Sequence, residues 1–301
     1  MEKITLPEHL RKFEIPGHVS FARGNGGLSK VNIATGRSAA EIYLHGAHVT
    51  GFQKNGEPPL LFLSRLSRFD GGEPIRGGVP ICFPWFGPRE GGGVHGFARV
   101  TEWELMAAGT LPGNGVTLRF RLPLTAAAAA WPPFHTEFAV SVSDQLTMEL
   151  TTTNRSPDRR LEFENCLHTY FAVGDIAQVS LAGLEDAPFL DYAAGAGGAR
   201  RDGDNTSLRI TRETNRVYFD SPGPVEIRDE SRRRINRVEK FNSSSTVVWN
   251  PWTTQKMPGD FDPTEHRFMV CVESGNVKQN RLSLLPGQTA TLKVVLSSRR
   301  I

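Results

Sequence analysis

The sequence from Pro74 to Arg99 reads PIRGGVPICFPWFGPREGGGVHGFAR, and it fits neither a helix nor a strand inside a sheet. Pro80, Pro84 and Pro88 each lack an amide hydrogen and restrict φ to about −65°, which excludes a continuous helix or a central strand. The same stretch carries several aromatic and aliphatic side chains, which a solvated linker would not. We therefore expect an ordered loop that packs against a core, and such loops often carry function.

Two arginines bracket this loop. Arg76 precedes a pair of glycines, and Arg99 closely follows His95. A guanidinium group can bind two phosphate or carboxylate oxygens at once, and an adjacent glycine lets a ligand approach the backbone. The pattern predicts an anionic ligand. On residue type alone, both arginines could equally be surface charges or structural ion pairs, and His95 a hydrogen-bonded structural histidine.

The segments Ile75 to Pro88 and His95 to Arg99 together resemble the signature of the hexose-6-phosphate mutarotases (glucose-6-phosphate 1-epimerases), a branch of the aldose 1-epimerase family. The resemblance implies a β-sandwich of large, strongly curved sheets (a supersandwich, as in galactose mutarotase-like proteins) that binds a sugar across one concave face.

The rest of the chain has the sequence pattern of an all-β fold. Short segments rich in Val, Ile, Thr and Phe alternate with Gly, Pro, Asn and Asp, and sustained helical periodicity is hard to find, apart from a possible short helix at residues 126–131. We expect a large antiparallel β-sandwich, as one domain spanning residues 1–301. The predicted strands are residues 30–33, 41–44, 60–63, 115–124, 137–142, 146–153, 161–173, 178–181, 216–219, 225–228, 246–249, 267–273 and 289–296.

Composition excludes several classes of protein. The net charge of +3 is too small for a nucleic-acid binder. The three cysteines lie among apolar neighbours and cannot all pair, which favours reduced thiols and a cytoplasmic location. We see no secretory signal and no membrane segment, and we expect a monomer. The basic run at residues 232–234 is expected to be a solvated hairpin tip.

Two ionisable residues are candidates for acid and base. Alternation across residues 161–173 places His168 on a face with Glu162, Glu164 and other polar groups, which suits a solvated stripe as well as an active site. Glu273 follows a run that is apolar on both faces, so its carboxylate should be partly desolvated and its pKa raised. The resemblance places the family's catalytic histidine at His168 and its catalytic glutamate at Glu273.

The resemblance implies cofactor-free interconversion of the α and β anomers of a hexose 6-phosphate. Glu273 would accept a proton from the anomeric hydroxyl while His168 donates one to the ring oxygen. His95 would contact sugar oxygens, and Arg76 and Arg99 would hold the phosphate. One departure is Asn215, where the family commonly has an aspartate that contacts sugar hydroxyls; another is Val94, which replaces a frequent glutamine.

We expect no metal and no nucleotide site. His45 and His48 fall on opposite faces of an extended segment, and the glycine-rich stretches lack the lysine and helix of a phosphate loop. Three other functions remain open: a mutarotase for unphosphorylated aldoses, a non-catalytic sugar-phosphate-binding protein of the same fold, and, less favoured, a glycosidase or lyase with paired carboxylates.

Overall fold

The computed structural model describes residues 8–193, 195–203 and 205–301. Within these ranges the chain folds almost entirely into antiparallel strands joined by turns and short 3₁₀ helices, which confirms the predicted all-β class. The strands are β1 (Val19–Arg23), β2 (Ser29–Ala34), β3 (Ser38–Tyr43), β4 (His48–Lys54), β5 (Ile81–Cys82), β6 (Pro88–Arg89), β7 (Gly93–Val94), β8 (Glu104–Leu111), β9 (Gly115–Arg121), β10 (Phe134–Val142), β11 (Leu146–Asn154), β12 (Leu161–Phe163), β13 (Asn165–Leu167), β14 (Tyr170–Ala172), β15 (Val179–Ala182), β16 (Phe189–Asp191), β17 (Ala199–Arg201), β18 (Leu208–Arg209), β19 (Thr214–Phe219), β20 (Val225–Asp229), β21 (Arg234–Phe241), β22 (Ser245–Asn250), β23 (Met269–Asn276), β24 (Leu282–Leu284) and β25 (Thr289–Arg300). The 3₁₀ helices are Glu8–Phe13, Asn25–Gly27, Ala98–Val100, Ala128–Ala130, Ile176–Gln178, Pro263–Phe268 and Lys278–Asn280.

Two large sheets form the framework. The back sheet has the strand order β18–β15–β20–β21–β25–β11–β10–β9–β8. The site sheet has the order β17–β16–β19–β22–β23–β13–β5, and β14 also pairs with β23. A separate sheet, β1–β2–β3–β4, contributes side chains to the same core. The two large sheets form the β-sandwich that the sequence predicts.

The back sheet is apolar on one face. In β10 and β11 every second residue is buried, and Phe138, Val140 and Leu150 have no exposed surface. Because successive side chains of a strand point to opposite faces, the buried set joins the core between the sheets and the other set faces solvent. Each fully buried large apolar side chain contributes roughly 1.5–3 kcal/mol, so this core is the main source of stability.

The site sheet is buried on both faces at its centre. Every residue of β22 and β23 is buried, including polar ones such as Glu273 and Asn276. One face joins the core, and the loops at residues 74–99 and 251–268 rise beside the other. Together these loops and the sheet enclose the pocket described below.

The loop at residues 74–99 is ordered and packed against the core, as predicted. Ile81, Cys82 and Phe83 are fully buried. Gly96 has φ +76°, and a Cβ there would lie 1.9 Å from the Phe83 carbonyl oxygen, so only glycine allows this close approach. One expectation was wrong: Ile81–Cys82 does pair with β13, because a two-residue edge strand fits between Pro80 and Pro84.

Other predicted elements differ in detail. Residues 161–173 form three short strands rather than one alternating strand, and residues 60–63 make only isolated bridges. The basic run at 232–234 lies at a hairpin turn, but Arg234 is buried because its guanidinium donates to the carbonyl oxygens of Pro58, Pro59 and Ala172. The possible helix near residue 126 is a single 3₁₀ turn, Ala128–Ala130. In the described ranges, no helix has the length and apolar character needed to cross a membrane.

Candidate active site

A pocket of about 690 Å³ opens on the site sheet. All six residues singled out in the sequence line it, namely Arg76, His95, Arg99, His168, Asn215 and Glu273. They come from the loop at residues 74–99, from β19, from β23 and from the link between β13 and β14. Residues that are far apart in sequence therefore meet in one place.

His168 and Glu273 touch each other at the floor of the pocket. His168 Nε2 lies 3.2 Å from Glu273 Oε1, and the two residues are 7% and 1% exposed. The His168 amide donates to the Pro80 carbonyl oxygen at 3.0 Å, which ties the histidine backbone to the neighbouring loop. Glu273 lies inside β23 rather than at its end, so its carboxylate is fully buried and not merely half-desolvated as the sequence indicated.

Burial shifts the pKa of both groups toward their neutral forms. It raises the pKa of Glu273 well above its usual value, and the nearby thiol and the Arg99 charge offset this only in part. It lowers the pKa of His168 well below its usual value, and the charges of His95, Arg99 and Arg76 add to the effect. These directions favour a pair without net charge, in which Glu273 carries the proton and His168 Nε2 accepts it.

Aromatic rings fix the His168 side chain. Its ring stacks on Tyr170 with centroids 4.7 Å apart and planes 15° apart, and it meets Trp249 edge-on at 6.2 Å. Trp249 is itself held by a hydrogen bond from its indole Nε1 to Gln255 Oε1 at 2.8 Å. His168 Nδ1 is buried and has no hydrogen-bond partner among the residues that the structure describes. The imidazole is thus oriented by packing, with Nε2 directed to Glu273.

His95 is presented to the pocket as a hydrogen-bond donor. The Gly87 amide donates to His95 Nδ1 at 3.0 Å, so the ring proton is on Nε2. Burial lowers the pKa of His95 well below its usual value, and the charges of Arg99, Arg76 and Lys278 lower it further. The residue adopts φ +64°, an uncommon conformation outside glycine. A neutral imidazole held in this way can donate to a sugar oxygen.

The two arginines differ in their partners. Arg76 Nε and Nη2 both donate to Asp260 Oδ2, at 3.1 and 3.0 Å, and Nη1 donates to the Tyr170 hydroxyl. Burial by itself lowers the pKa of Arg76, but Tyr170 and Asp260 outweigh it and the net pKa is raised. The charge of Arg76 is therefore already neutralised by a buried carboxylate.

Arg99 carries the unpaired charge. Its Nη2 donates to the Val94 carbonyl oxygen at 2.7 Å, and its buried Nε has no partner in the described part of the chain. Among the residues that the structure describes, no carboxylate lies within 4.0 Å of this guanidinium. Burial lowers the pKa of Arg99, which shows that the charge is poorly solvated. An anion entering the pocket would supply the missing partner.

The pocket has more basic than acidic side chains. Its basic lining residues are Arg68, Arg76, Arg99, Lys256 and Lys278, and its acidic ones are Glu73, Asp260 and Glu273. The sequence singled out Arg76 and Arg99 but missed Asp260, Lys278 and Tyr192. No local pattern marks these three, because their importance depends on contacts with distant segments.

Asn215 lies on β19 opposite Trp249, and it lines the pocket wall. Its carbonyl oxygen accepts a hydrogen bond from the Tyr192 amide at 2.7 Å, which fixes the backbone. Its side-chain amide can contact a ligand hydroxyl. The amide oxygen is a neutral hydrogen-bond acceptor, whereas the aspartate that the resemblance implies would offer a charged one.

The floor also contains thiols. Cys166 Sγ lies 3.7 Å from Glu273 Oε2, and Cys271 has its sulfur within 4.8 Å of ligand atoms of His168 and Glu273. A metal ion would need deprotonated thiols, whereas burial raises the pKa of both cysteines. The nearby guanidinium groups of Arg76 and Arg99 would also repel a divalent cation. The donor set therefore fits a metal ion poorly.

Comparison with known proteins gives a consistent result. Residues 29–297 match the family model described as aldose 1-epimerase. The chain is 32% identical over 283 residues to a protein of Cenchrus ciliaris, covering 90% of this chain and 85% of that one. It is 34% identical over 250 residues to a protein of Escherichia coli strain K12, covering 80% and 81%. Both relatives are named "Putative glucose-6-phosphate 1-epimerase".

A solved structure shares the whole architecture. The crystal structure of "a putative mutarotase (YeaD)" from Salmonella typhimurium superimposes with a TM-score of 0.87 at 28% identity, covering 96% of each chain. The structural similarity and the family match agree with one another. The chain belongs to the aldose 1-epimerase family.

Proposed function

We propose that the protein interconverts the α and β anomers of a hexose 6-phosphate by acid–base catalysis. The observation that carries this proposal is the contact between His168 Nε2 and Glu273 Oε1 at the floor of the pocket. The unpaired charge of Arg99 and the names of the relatives support a phosphorylated sugar as substrate.

Ring opening needs two proton transfers, one from the anomeric hydroxyl and one to the ring oxygen. Glu273, as the carboxylate, accepts the proton of the anomeric hydroxyl, and protonated His168 donates a proton to the ring oxygen. The bond between the anomeric carbon and the ring oxygen breaks, and a free aldehyde forms. Both oxygens are attached to the anomeric carbon, so a catalytic pair in mutual contact suits this geometry.

Ring closure reverses the two roles. The aldehyde rotates about its bond to the adjacent carbon, and the chain hydroxyl then attacks its other face. His168 accepts the proton of that hydroxyl, and Glu273 returns a proton to the aldehyde oxygen. The pair starts and ends with one proton. The pKa shifts favour that proton on Glu273 and a neutral His168, so ring opening begins from the minor form in which the proton has crossed the 3.2 Å contact to His168. Each placed proton transfer contributes roughly 10² to 10⁴ in rate.

Four further residues are proposed to bind substrate. His95 donates through Nε2 to a sugar oxygen, and Asn215 contacts a sugar hydroxyl. Arg99 binds the phosphate, because it has no carboxylate partner of its own. Arg76 also lines the pocket and is the second candidate for the phosphate, although Asp260 offsets much of its charge.

The main rival is a mutarotase for unphosphorylated aldoses. The pairing of Arg76 with Asp260 would suit this function, because such a sugar brings no negative charge into the pocket. The test is the decay of optical rotation of freshly dissolved α-glucose 6-phosphate and α-glucose, with wild type and with Arg99→Met. Arg99 is preferred to Arg76 for substitution, because removing Arg76 would leave the buried Asp260 carboxylate without its ion-pair partner. We expect Arg99→Met to raise KM for the phosphate ester and to leave glucose unaffected. Equal effects on the two sugars would favour the rival.

A non-catalytic sugar-phosphate-binding protein is tested in the same samples. Such a protein would be stabilised against heat by glucose 6-phosphate without accelerating the decay of rotation. Acceleration over the buffer rate by wild type excludes it.

A further inference from the structure

Lys278 is a basic residue of the pocket that the mechanism does not use. Its Nζ lies 3.4 Å from the Phe86 carbonyl oxygen and 6.0 Å from the ring centroids of both Phe86 and Tyr192. Among the described residues, no carboxylate lies within 4.0 Å of this ammonium group. Lys278 thus resembles Arg99 in facing the pocket with an unpaired charge.

The backbone of Lys278 is held in an uncommon conformation. It has φ +56°, which costs free energy in a residue with a Cβ. The Glu164 carboxylate compensates: Oε1 accepts from the Lys278 amide, and Oε2 accepts from the Phe86 amide at 2.8 Å. The half-buried Glu164 carboxylate therefore fixes Lys278 relative to the loop at residues 74–99. A strained residue that is fixed so firmly at a pocket wall is a candidate for ligand binding.

Strand register places Arg76 and Lys278 on opposite sides of Glu273. Within β23, Cys271 pairs with Tyr170 and Trp249, and the Tyr170 hydroxyl binds Arg76. Glu273 follows Cys271 along the strand, and Val277 and Lys278 come after the strand end. The catalytic pair therefore lies between an Arg76 side and a Lys278 side of the pocket.

Arg99 is within reach of the Lys278 side. Its Nη2 donates to the carbonyl oxygen of Val94, the residue before His95, and the His95 and Phe86 ring centroids are 4.6 Å apart. Lys278 Nζ lies 3.4 Å from the Phe86 carbonyl oxygen, on the other side of the same contact. Arg99 and Lys278 thus both lie beside the His95–Phe86 contact. Among the described residues, neither has the carboxylate partner that Arg76 has in Asp260.

We propose that Lys278 is a specificity-determining residue that binds the phosphate of the substrate together with Arg99. This inference rests on the proposed function, because it names the group that meets the phosphate in that same site. A lysine ammonium on a flexible stem suits this role, since it binds phosphate as a point charge.

The test is calorimetric binding of glucose 6-phosphate and of glucose to wild type, Lys278→Met, Lys278→Arg and Lys256→Met. Lys256 is an exposed lysine that also lines the pocket, so its variant controls for the loss of one positive charge. We expect Lys278→Met to weaken glucose 6-phosphate binding about tenfold, the effect of losing one charge-assisted hydrogen bond. Lys278→Arg should restore most of the affinity, and Lys256→Met should change it little.

The outcomes are distinct. Unchanged affinity in Lys278→Met, an equal loss for glucose, or an equal loss in Lys256→Met would each overturn the proposal. Lys278→Met combined with Arg99→Met should lose less than the sum of the single losses, because both side chains contact one phosphate. Calorimetry needs no turnover, so failure of wild type to accelerate anomer interconversion would contradict the proposed function alone.

Discussion

His168 Nε2 and Glu273 Oε1 lie 3.2 Å apart, and both residues line the pocket. A buried carboxylate and a buried imidazole in contact share one proton more easily than either carries a charge alone. This arrangement keeps both an acid and a base ready in an apolar floor.

The first prediction concerns stability and pH. Because burial raises the pKa of Glu273, its contribution to stability is complete below the unfolded-state pKa of about 4.3 and is lost as the pH rises toward the folded-state value. Glutamine does not titrate. Glu273→Gln should therefore gain stability relative to wild type as the pH rises, measured by thermal unfolding across the neutral range. Glu162→Gln, an exposed change on β12, should show no such trend. An increase in the stability of wild type relative to Glu273→Gln at higher pH would refute this prediction.

The second prediction concerns the Arg76–Asp260 ion pair. Arg76→Met leaves the Asp260 carboxylate, which is 5% exposed, without its partner. Removing one member of a buried pair costs about 3–5 kcal/mol. Urea unfolding should show this loss in Arg76→Met, and the double variant Arg76→Met/Asp260→Asn should recover much of it. Arg99→Met, which has no carboxylate partner, should not destabilise the fold. A double variant no more stable than the single one would show that the pair is not the cause.

The third prediction concerns a buried structural arginine. Arg234 donates to three carbonyl oxygens, and burial lowers its pKa to about 10. Arg234→Leu removes the donor to the Pro58 carbonyl oxygen and leaves those of Pro59 and Ala172 with Arg232 Nη1. An acceptor left unpaired where water cannot reach it costs roughly 1–3 kcal/mol. The matched control is Arg233→Leu, because Arg233 is exposed in the same turn. Equal melting temperatures in the two variants would be inconsistent with this role of Arg234.

Several features of the fold and site could be predicted from sequence. The alternation in β10 and β11 and the prolines around Ile81 follow local rules, so the all-β class and the packed loop were predictable. His168 and Glu273 were identified by resemblance. Local patterns could not show that Asp260 neutralises Arg76, 184 positions away, or that Phe86 meets Lys278, 192 positions away. Those contacts depend on how the strands are ordered in the sheet.

The fourth prediction concerns Asn215. A carboxylate accepts a hydroxyl hydrogen bond more strongly than a neutral amide, by something like 1 kcal/mol. Asn215→Asp should therefore lower KM for glucose 6-phosphate by about fivefold, and Asn215→Leu, which removes the acceptor, should raise it. Initial rates of anomer interconversion across substrate concentrations give both values. A higher KM in Asn215→Asp would mean that the side chain does not accept a hydrogen bond from substrate.

The catalytic roles of His168 and Glu273 are tested most directly by polarimetry of freshly dissolved α-glucose 6-phosphate with wild type, His168→Ala and Glu273→Gln. Wild type should accelerate the approach to anomeric equilibrium, and each variant should lose roughly 10² to 10⁴ of that acceleration while remaining folded. Equal rates in all three proteins would contradict acid–base catalysis by this pair.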